Sequence, residues 1–220
     1  MSVDDMLSIT EEQRVDIRQD RRKPVFLIGY HVDGEYLDTA RDAIEDVLKI
    51  ARVDSEIPIY TVEMENPFKI GELKMPNGHQ IDAYKTITKM PADKYTAILT
   101  GEDINSSDGS YNFLIGLALP GIGTLISTKR FEGIDDIYTR NECIKTEVMH
   151  EMGHVFNTPN SSRKDLEDNI GKHCKNNKCV MRQGVRVPID WIKITRDRLE
   201  TGKPYCDSCE EDLRKHFGIL

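Results

Sequence analysis

One short segment, residues 147–156 (EVMHEMGHVF), constrains this chain more than any other because it contains the pattern His-Glu-x-x-His. Residues i and i+4 of a helix lie one turn apart on the same face, so His150 and His154 can bind one metal ion. Neutral imidazoles suit Zn²⁺ at about 2.0–2.1 Å. Glu151 follows the first histidine and would lie beside the ion, where it can take a proton from zinc-bound water.

The pattern also occurs in helices without a chemical role, so the flanking residues decide between the two interpretations. Apolar residues at helical spacing predict that this helix is packed against a core, and they are Ile144, Val148, Met152 and Val155 or Phe156. Thr139 and Glu142 form a candidate capping box at its start. Asn157 tolerates the left-handed conformation that ends helices, and Pro159 prevents continuation. We therefore predict a packed helix that ends just after His154.

Four of the five cysteines form two close pairs, Cys174 with Cys179 and Cys206 with Cys209. Paired thiols at these spacings are typical of a tetrahedral Cys₄ zinc site. The alternative is a set of independent, reduced, buried cysteines, but the Cys-x-x-Cys spacing and the polar surroundings favour the metal. We expect the fifth, Cys143, to be a core residue.

Composition excludes several classes of function. The net charge of −8 argues against binding nucleic acid through its phosphates. No apolar run approaches the length of a membrane span, and the first residues lack a signal-peptide pattern, so we expect a cytoplasmic protein without disulfides. Residues 1–23 are a polar lead-in, and 24–220 suit one domain: 24–157 with the sheet and the histidine helix, 158–220 with the cysteines.

Strands and helices alternate along the first half of the chain. Strands are predicted at 24–30, 57–62, 95–100, 111–118 and 121–128. Helices are predicted at 36–52, 79–90 and 188–201, besides the histidine helix, with a loop at 66–78. This alternation indicates an α/β sandwich with a mixed, mostly parallel sheet, in which an antiparallel edge strand would be common.

A catalytic zinc requires three protein ligands and a water. The candidate for the third is His173, within residues 171–181 (GKHCKNNKCVM), and Asp165 or Asp168 are rival ligands because carboxylates also bind zinc. With His173 the chain resembles the archaemetzincins, a cytoplasmic branch of the metzincin zinc peptidases. Their motif is His-Glu-x-x-His-x-x-Gly-x-x-His-Cys, then four residues, Cys-x-Met, and later Cys-x-x-Cys. The resemblance covers 24–220.

The resemblance implies roles for individual residues. His150, His154 and His173 would hold the catalytic zinc, with Glu151 as general base and later proton donor. Met181 would lie in a turn that forms an apolar floor under the metal. A second, structural zinc would be held by Cys174, Cys179, Cys206 and Cys209. The implied fold is a compact three-layer metzincin-like sandwich, whose substrate cleft lies beneath an edge strand; we place that strand near residues 121–128.

Two positions depart from the family motif. Asn157 replaces the glycine, which is a mild change because both residues tolerate positive φ. Asn160 stands where the third histidine belongs, and His173 follows an insertion over 160–172. Lengthening the loop about threefold costs roughly 1 kcal/mol of closure entropy, whereas structural zinc binding is worth on the order of 10 kcal/mol. A short helix over 165–171 would keep the loop ends close.

These observations favour a zinc peptidase that acts on a peptide or protein substrate. The alternative is a catalytically weak or latent module that holds a structural zinc and docks a partner near Cys206 and Cys209. A zinc-finger protein that binds nucleic acid fits the cysteines but not the acidic charge. The sequence does not indicate an oligomeric state.

Overall fold

The computed structural model describes residues 21–107, 112–168 and 171–219. Its strands are β1 (Val25–Tyr30), β2 (Ile59–Glu63), β3 (Ile81–Asp82), β4 (Tyr95–Thr100), β5 (Ile104–Asn105), β6 (Gly116–Leu119), β7 (Gly123–Ser127), β8 (Leu166–Asp168) and β9 (Lys172–Cys174). Its helices are α1 (Gly34–Ala51), α2 (Ala83–Ile87), α3 (Ile137–Val155), α4 (Ile189–Thr201) and α5 (Asp207–His216). Two 3₁₀ segments lie at Pro67–Glu72 and Lys129–Phe131.

A five-stranded sheet with the order β2-β1-β4-β7-β6 forms the centre of the molecule. The first four of these strands are parallel to one another, and β6 runs antiparallel to β7 at one edge. The prediction of a mostly parallel sheet with an antiparallel edge strand is therefore confirmed.

Alternate residues of the central strands face two different apolar layers. Leu27 and Leu99 belong to the larger core cluster, which they share with residues of α1 and α3. Ile28 and Ile98 belong to a smaller cluster under α2 and the first 3₁₀ segment. Because successive strand side chains point to opposite faces, β1 and β4 are buried on both sides, which explains their continuous apolar sequences. The result is the predicted three-layer α/β arrangement.

The helix predicted over 79–90 was wrong over most of its length. Ile81 and Asp82 form β3, which pairs in parallel with β5. The Asp82 side chain accepts a hydrogen bond from the backbone N–H of Lys85 at 3.1 Å, which caps the short helix α2. An aspartate in this position offers the backbone a cap, so the helix starts only at Ala83 despite the apolar periodicity before it.

Smaller differences occur in the loops and at the strand ends. The second strand starts at Ile59, after Pro58, and the loop predicted over 66–78 contains the first 3₁₀ segment. The strand predicted over 111–118 is confined to β6, and Tyr111 lies outside the described residues. The same holds for most of the lead-in over 1–23, of which only 21–23 are described.

Helix α3 carries the His-Glu-x-x-His pattern, and its apolar stripe is buried as predicted. Its start differs from the predicted capping box: Asp136 is the N-cap, and its carboxylate accepts a hydrogen bond from the Thr139 N–H at 2.8 Å. Its end agrees with the prediction, since Asn157 has a φ of 55°. Cys143 is fully buried in the core, as expected.

The C-terminal region packs against α3 and α1. Helix α4 agrees with the prediction and contacts α3 through Thr195, whose hydroxyl lies 2.9 Å from that of Thr146. Helix α5 was not predicted, because Leu213 and Cys209 are the main buried residues in an otherwise charged segment. In the described ranges, none of the helices has an apolar stretch sufficient to cross a bilayer.

His216, at the end of α5, is buried against the sheet. Its Nε2 lies 3.0 Å from the Tyr95 hydroxyl, which itself donates to the backbone oxygen of Arg21. Burial, followed by the nearby charges of Arg21 and Lys23, lowers the pKa of His216 from 6.5 to about 3. The folded state therefore keeps this imidazole neutral at a pH where the unfolded chain would protonate it.

We predict that His216 makes folding sensitive to mild acid. Between its two pKa values the unfolded state binds more protons, so the free energy of unfolding falls as the pH drops below about 6.5. From pH 7.5 to 5.5 the wild type should lose about 1 kcal/mol more than His216→Gln, measured by urea unfolding at each pH. His79→Gln, at an exposed histidine, should behave as the wild type. Equal losses in the wild type and His216→Gln would contradict this account.

Candidate metal centre

Three histidine side chains from two elements converge on one point. His150 and His154 lie one turn apart on α3, and His173 lies on β9. The Nε2 atom of His154 is 3.2 Å from that of His150 and 3.3 Å from that of His173. The structure thus brings together the three histidines that the sequence singled out.

Backbone carbonyl groups orient two of these rings. His150 Nδ1 lies 2.7 Å from the Val180 oxygen, and His173 Nδ1 lies 3.3 Å from the Gly171 oxygen. An Nδ1–H that donates to a carbonyl fixes the tautomer in which Nε2 carries a lone pair. The rings are therefore arranged to offer Nε2 atoms as ligands.

The histidines are neutral in this buried setting. Burial lowers the pKa of His150 to about 4 and that of His173 to about 3. Burial, with the neighbouring imidazoles His150 and His173, also lowers the pKa of His154 well below its usual range. Neutral imidazole is the form that binds metal ions, so no proton has to leave before an ion can bind near neutral pH.

The spacing of the nitrogen atoms fits a tetrahedral zinc ion. Ligands about 2.0–2.1 Å from such an ion are separated from one another by roughly 3.3–3.4 Å. The observed separations of 3.2 and 3.3 Å agree with this value. Three histidines also leave a fourth position for water, which is the arrangement of catalytic rather than structural zinc sites.

The insertion over 160–172 delivers His173 by a hairpin and not by the short helix that we predicted. β8 and β9 pair antiparallel, and Gly171, with a φ of 81°, lies at the start of the returning strand. Strand pairing holds residues 166–168 beside residues 172–174. The rival ligand Asp165 is turned away, because its carboxylate binds Arg163. The side chain of Asp168 lies outside the described part of the chain.

Glu151 is buried beside the histidines and contacts the edge strand. A Cβ atom built on Gly116 of β6 would lie 2.4 Å from Glu151 Oε1, so only glycine leaves room for this carboxyl group. The Thr124 hydroxyl of β7 lies close to this side chain and donates to the Leu117 oxygen of β6 at 2.9 Å. The sheet edge and the candidate base are thus in direct contact.

A second carboxyl group, Glu147, lies one turn before Glu151 and is also buried. Trp191 Nε1 donates to Glu147 Oε2 at 2.6 Å, and the two carboxyl groups hydrogen-bond each other. Burial raises the pKa of Glu147 to about 7, and burial with the charge of Glu147 raises the pKa of Glu151 well above its usual range. A bound divalent cation would act in the opposite direction on Glu151.

Met181 lies beneath α3, where the sequence comparison placed an apolar floor. It is fully buried, and its sulfur would lie 2.4 Å from a Cβ atom built on Gly153. Glycine at this helix position therefore lets the thioether pack directly against the backbone between His150 and His154. The neighbouring hydroxyl group of Tyr205 donates to the Met149 oxygen at 2.6 Å.

The four cysteines predicted as a second site form one cluster, Cys174, Cys179, Cys206 and Cys209. The Sγ atoms of Cys174 and Cys206 are 3.7 Å apart. Thiolates about 2.3 Å from a tetrahedral zinc ion are separated by roughly 3.8 Å, so the cluster fits a closed structural site. The thiols of these cysteines are free rather than disulfide-bonded.

Several donors point at the cysteine sulfurs. The backbone N–H of Asn176 lies 3.4 Å from Cys174 Sγ, and Arg163 Nη1 lies 3.3 Å from Cys209 Sγ. Arg163 also binds the buried carboxylate of Asp212 at 2.9 Å. Positive and N–H groups around thiolates stabilise their charged form, which is the form that binds zinc.

Sequence reasoning missed the supporting residues Glu147, Trp191 and Arg163. Trp191 is the only tryptophan, which was a signal that its indole N–H would need a partner, but the sequence does not name that partner. The remaining histidines lie apart from the triad. His31 binds Glu102, and His216 contacts Tyr95.

The edge strand expected near residues 121–128 was assigned to the wrong segment. Strand β7 lies inside the sheet between β4 and β6, and β6 forms that edge of the sheet. The two strands are joined by a tight turn, so their order within the sheet depends on whether β7 pairs with β4. Apolar patterning does not distinguish these arrangements, because β7 and β6 have similar composition.

A scan against protein-family models finds no match. Among curated proteins, the chain is 31% identical over 179 residues to the archaemetzincin of Nanoarchaeum equitans (strain Kin4-M), which covers 80% of this chain and 79% of that protein. It is 29% identical over 132 residues to the archaemetzincin of Pyrococcus furiosus, which covers 57% of each.

Solved structures show the same fold. The archaemetzincin of Methanopyrus kandleri matches 90% of this chain and 97% of its own, with a TM-score of 0.64 at 19% identity. The archaemetzincin of Archaeoglobus fulgidus, complexed with malonate, matches 86% and 99%, with a TM-score of 0.62 at 21% identity. These likenesses extend over nearly the whole length of both crystallised proteins.

We predict that the purified protein contains two zinc ions per chain, measured by plasma mass spectrometry after dialysis. His150→Ala removes a ligand from the histidine cluster only and should leave one ion. Cys209→Ser should release the ion of the cysteine cluster and also weaken retention by the histidines, because Cys174 adjoins His173. His31→Ala, at a histidine outside both clusters, should keep two. A single ion in the wild type that persists in His150→Ala would contradict the assignment.

Proposed function

The chain belongs to the archaemetzincin family, and from this premise we propose that it is a zinc metallopeptidase that hydrolyses peptide bonds in a peptide or protein substrate. One observation supports the proposal most: three neutral imidazoles, two from α3 and one from β9, converge beside Glu151, a buried glutamate of α3. A structural site would be closed by a fourth protein ligand, whereas these three histidines leave one side open for water.

The residues have distinct roles in the proposed reaction. His150, His154 and His173 would hold a zinc ion, which would supply a Lewis acid for the scissile carbonyl and for the attacking water. Glu151 accepts the proton of that water and returns it to the leaving amine. Glu151 is placed for both steps because Gly116 on the edge strand leaves room for its carboxyl group.

We place the substrate along β6. Among the residues that the structure describes, this strand pairs only with β7, so its other side can accept a further strand. A substrate that adds to a sheet edge is recognised through its backbone, which permits varied sequences. Because Gly116 of β6 touches Glu151, a peptide paired with this strand would pass the candidate base. A crystal structure with a bound peptide elsewhere would contradict this placement.

The alternative is a zinc-stabilised interaction module with a latent or weak histidine site. Such a module would need only the cysteine cluster. It does not account for the convergence of the three histidines or for the burial of Glu151. Buried ionisable groups cost folding free energy, which favours a role for them.

Glu151→Gln tests the proposal directly. The amide keeps the shape and the contacts of the side chain but cannot accept the proton. The variant should retain its zinc and lose at least about 100-fold in kcat on a peptide library, since general-base catalysis is worth about 10²–10⁴. Addition of a chelator to the wild type should abolish the same activity. Unchanged turnover in Glu151→Gln would refute the proposed mechanism.

Gly116→Ala should lower activity through displacement of Glu151. The new methyl group would overlap the Glu151 carboxyl group, which must move away from its position beside the histidines. We expect kcat to fall by about 10-fold or more with zinc content unchanged, because small misplacements of reacting groups are costly. Gly133→Ala is the matched control, since a Cβ atom there meets nothing within 4 Å. Equal kinetics of the two variants would contradict this role of Gly116.

A further inference from the structure

The hairpin of the insertion presents one face to each metal cluster. In the pairing of β8 with β9, Glu167 lies opposite His173 and Leu166 lies opposite Cys174. Directly opposed residues of an antiparallel pair project from the same face, with Cβ atoms about 4.5–5.5 Å apart. Glu167 therefore shares the face of His173, while Cys174 faces the cysteine cluster. The insertion carries an acidic side chain next to the third histidine.

Glu167 is partly buried and has no partner among the residues that the structure describes. The neighbouring acid Asp165 differs, because its carboxylate is bound by Arg163. A partly buried carboxylate without a partner loses hydration and gains nothing in return. Such a group is suited to a ligand that brings its own positive charge.

Glu167 is also distinct from the metal ligands. The three histidine nitrogens form a group whose atoms lie within 4.8 Å of one another, and no carboxylate of the described residues belongs to it. The Glu167 carboxylate thus lies beside the candidate metal centre but is not one of its ligands. A negative charge in this position would interact with a molecule bound next to the metal.

We propose that Glu167 is a specificity-determining residue that pairs with a positively charged group of the substrate close to the scissile bond. This inference rests on the proposed peptidase function. A carboxylate recognises a guanidinium or ammonium group by charge-assisted hydrogen bonds, which are roughly twice as strong as neutral ones. The positive group can be a basic side chain or the free amino terminus of a short peptide, and both present the same chemistry to Glu167.

Binding to the Glu151→Gln variant loaded with zinc tests the proposal without turnover. The probes are acetylated hexapeptides in which a single arginine is moved through the sequence, each paired with a peptide that has citrulline, its neutral isostere, at that position. A second series compares acetylated with free amino termini. Affinities are measured by fluorescence polarisation in the presence and absence of the further change Glu167→Gln.

At one position of the positive charge in the peptide, the charged probe should bind about 10-fold more tightly than its neutral counterpart. Glu167→Gln should reduce this ratio to less than about twofold, and Glu167→Lys should reverse it in favour of an acidic residue. Glu200→Gln, at an exposed acid on α4, should leave the ratio unchanged. Zinc content of two ions per chain verifies that each variant is folded.

The outcomes separate this inference from the proposed function. A dependence on arginine identifies a basic side chain as the recognised group, and a dependence on the free terminus identifies the amine; both support the role of Glu167. If Glu167→Gln does not change the preference for a positively charged probe, or if no such preference exists, the proposed role of Glu167 is wrong. This holds whether or not the wild type cleaves the peptides. Peptides that bind through Glu167 but are never cleaved by the wild type would refute the peptidase assignment instead.

Discussion

The peptide bond between His173 and Cys174 joins the two clusters on which the C-terminal half of the chain depends. One of these residues contributes to the histidine cluster and the next to the cysteine cluster. Because β9 is extended, their side chains project to opposite faces of the hairpin. A single strand therefore positions ligands of two sites, and a shift that improved one would disturb the other. The hydrogen bond from Cys174 N to the Met181 oxygen at 2.8 Å fixes the strand between them.

Helix α3 carries several ionisable side chains at buried positions, where apolar side chains are usual. Glu147, His150 and Glu151 are all nearly inaccessible to solvent. Each carboxyl group disfavours ionisation of the other, and the neutral imidazoles bring no positive charge that would offset this. A divalent cation at the histidines would favour the ionised form. Metal binding and the ionisation of the glutamates would thus be energetically linked, with Trp191 as the donor to Glu147.

Much of the fold and of the site could be predicted from local patterns. The apolar runs of β1 and β4, the stripe of α3 and the spacing of the histidines and cysteines all depend on residues close in sequence, where periodicity and spacing are informative. The errors lie where a distant partner decides. The short α2 depends on a cap at Asp82 and on the pairing of β3 with β5, and the true edge strand depends on whether β7 pairs with β4. Arg163 interacts with Asp212, far along the chain, and no spacing rule links them. The domain division remains a prediction.

The contact between Gly116 and Glu151 allows substrates to be selected at the chemical step rather than at binding. Strand β6, along which we propose that the substrate binds, is also the strand that confines the Glu151 carboxyl group. A substrate peptide that twists or shifts β6 would displace Glu151 before any peptide bond is attacked. A peptide that pairs with β6 in regular register would leave Glu151 aligned. The edge strand would therefore discriminate between substrates by their alignment. A misaligned peptide would still bind, but it would not be hydrolysed.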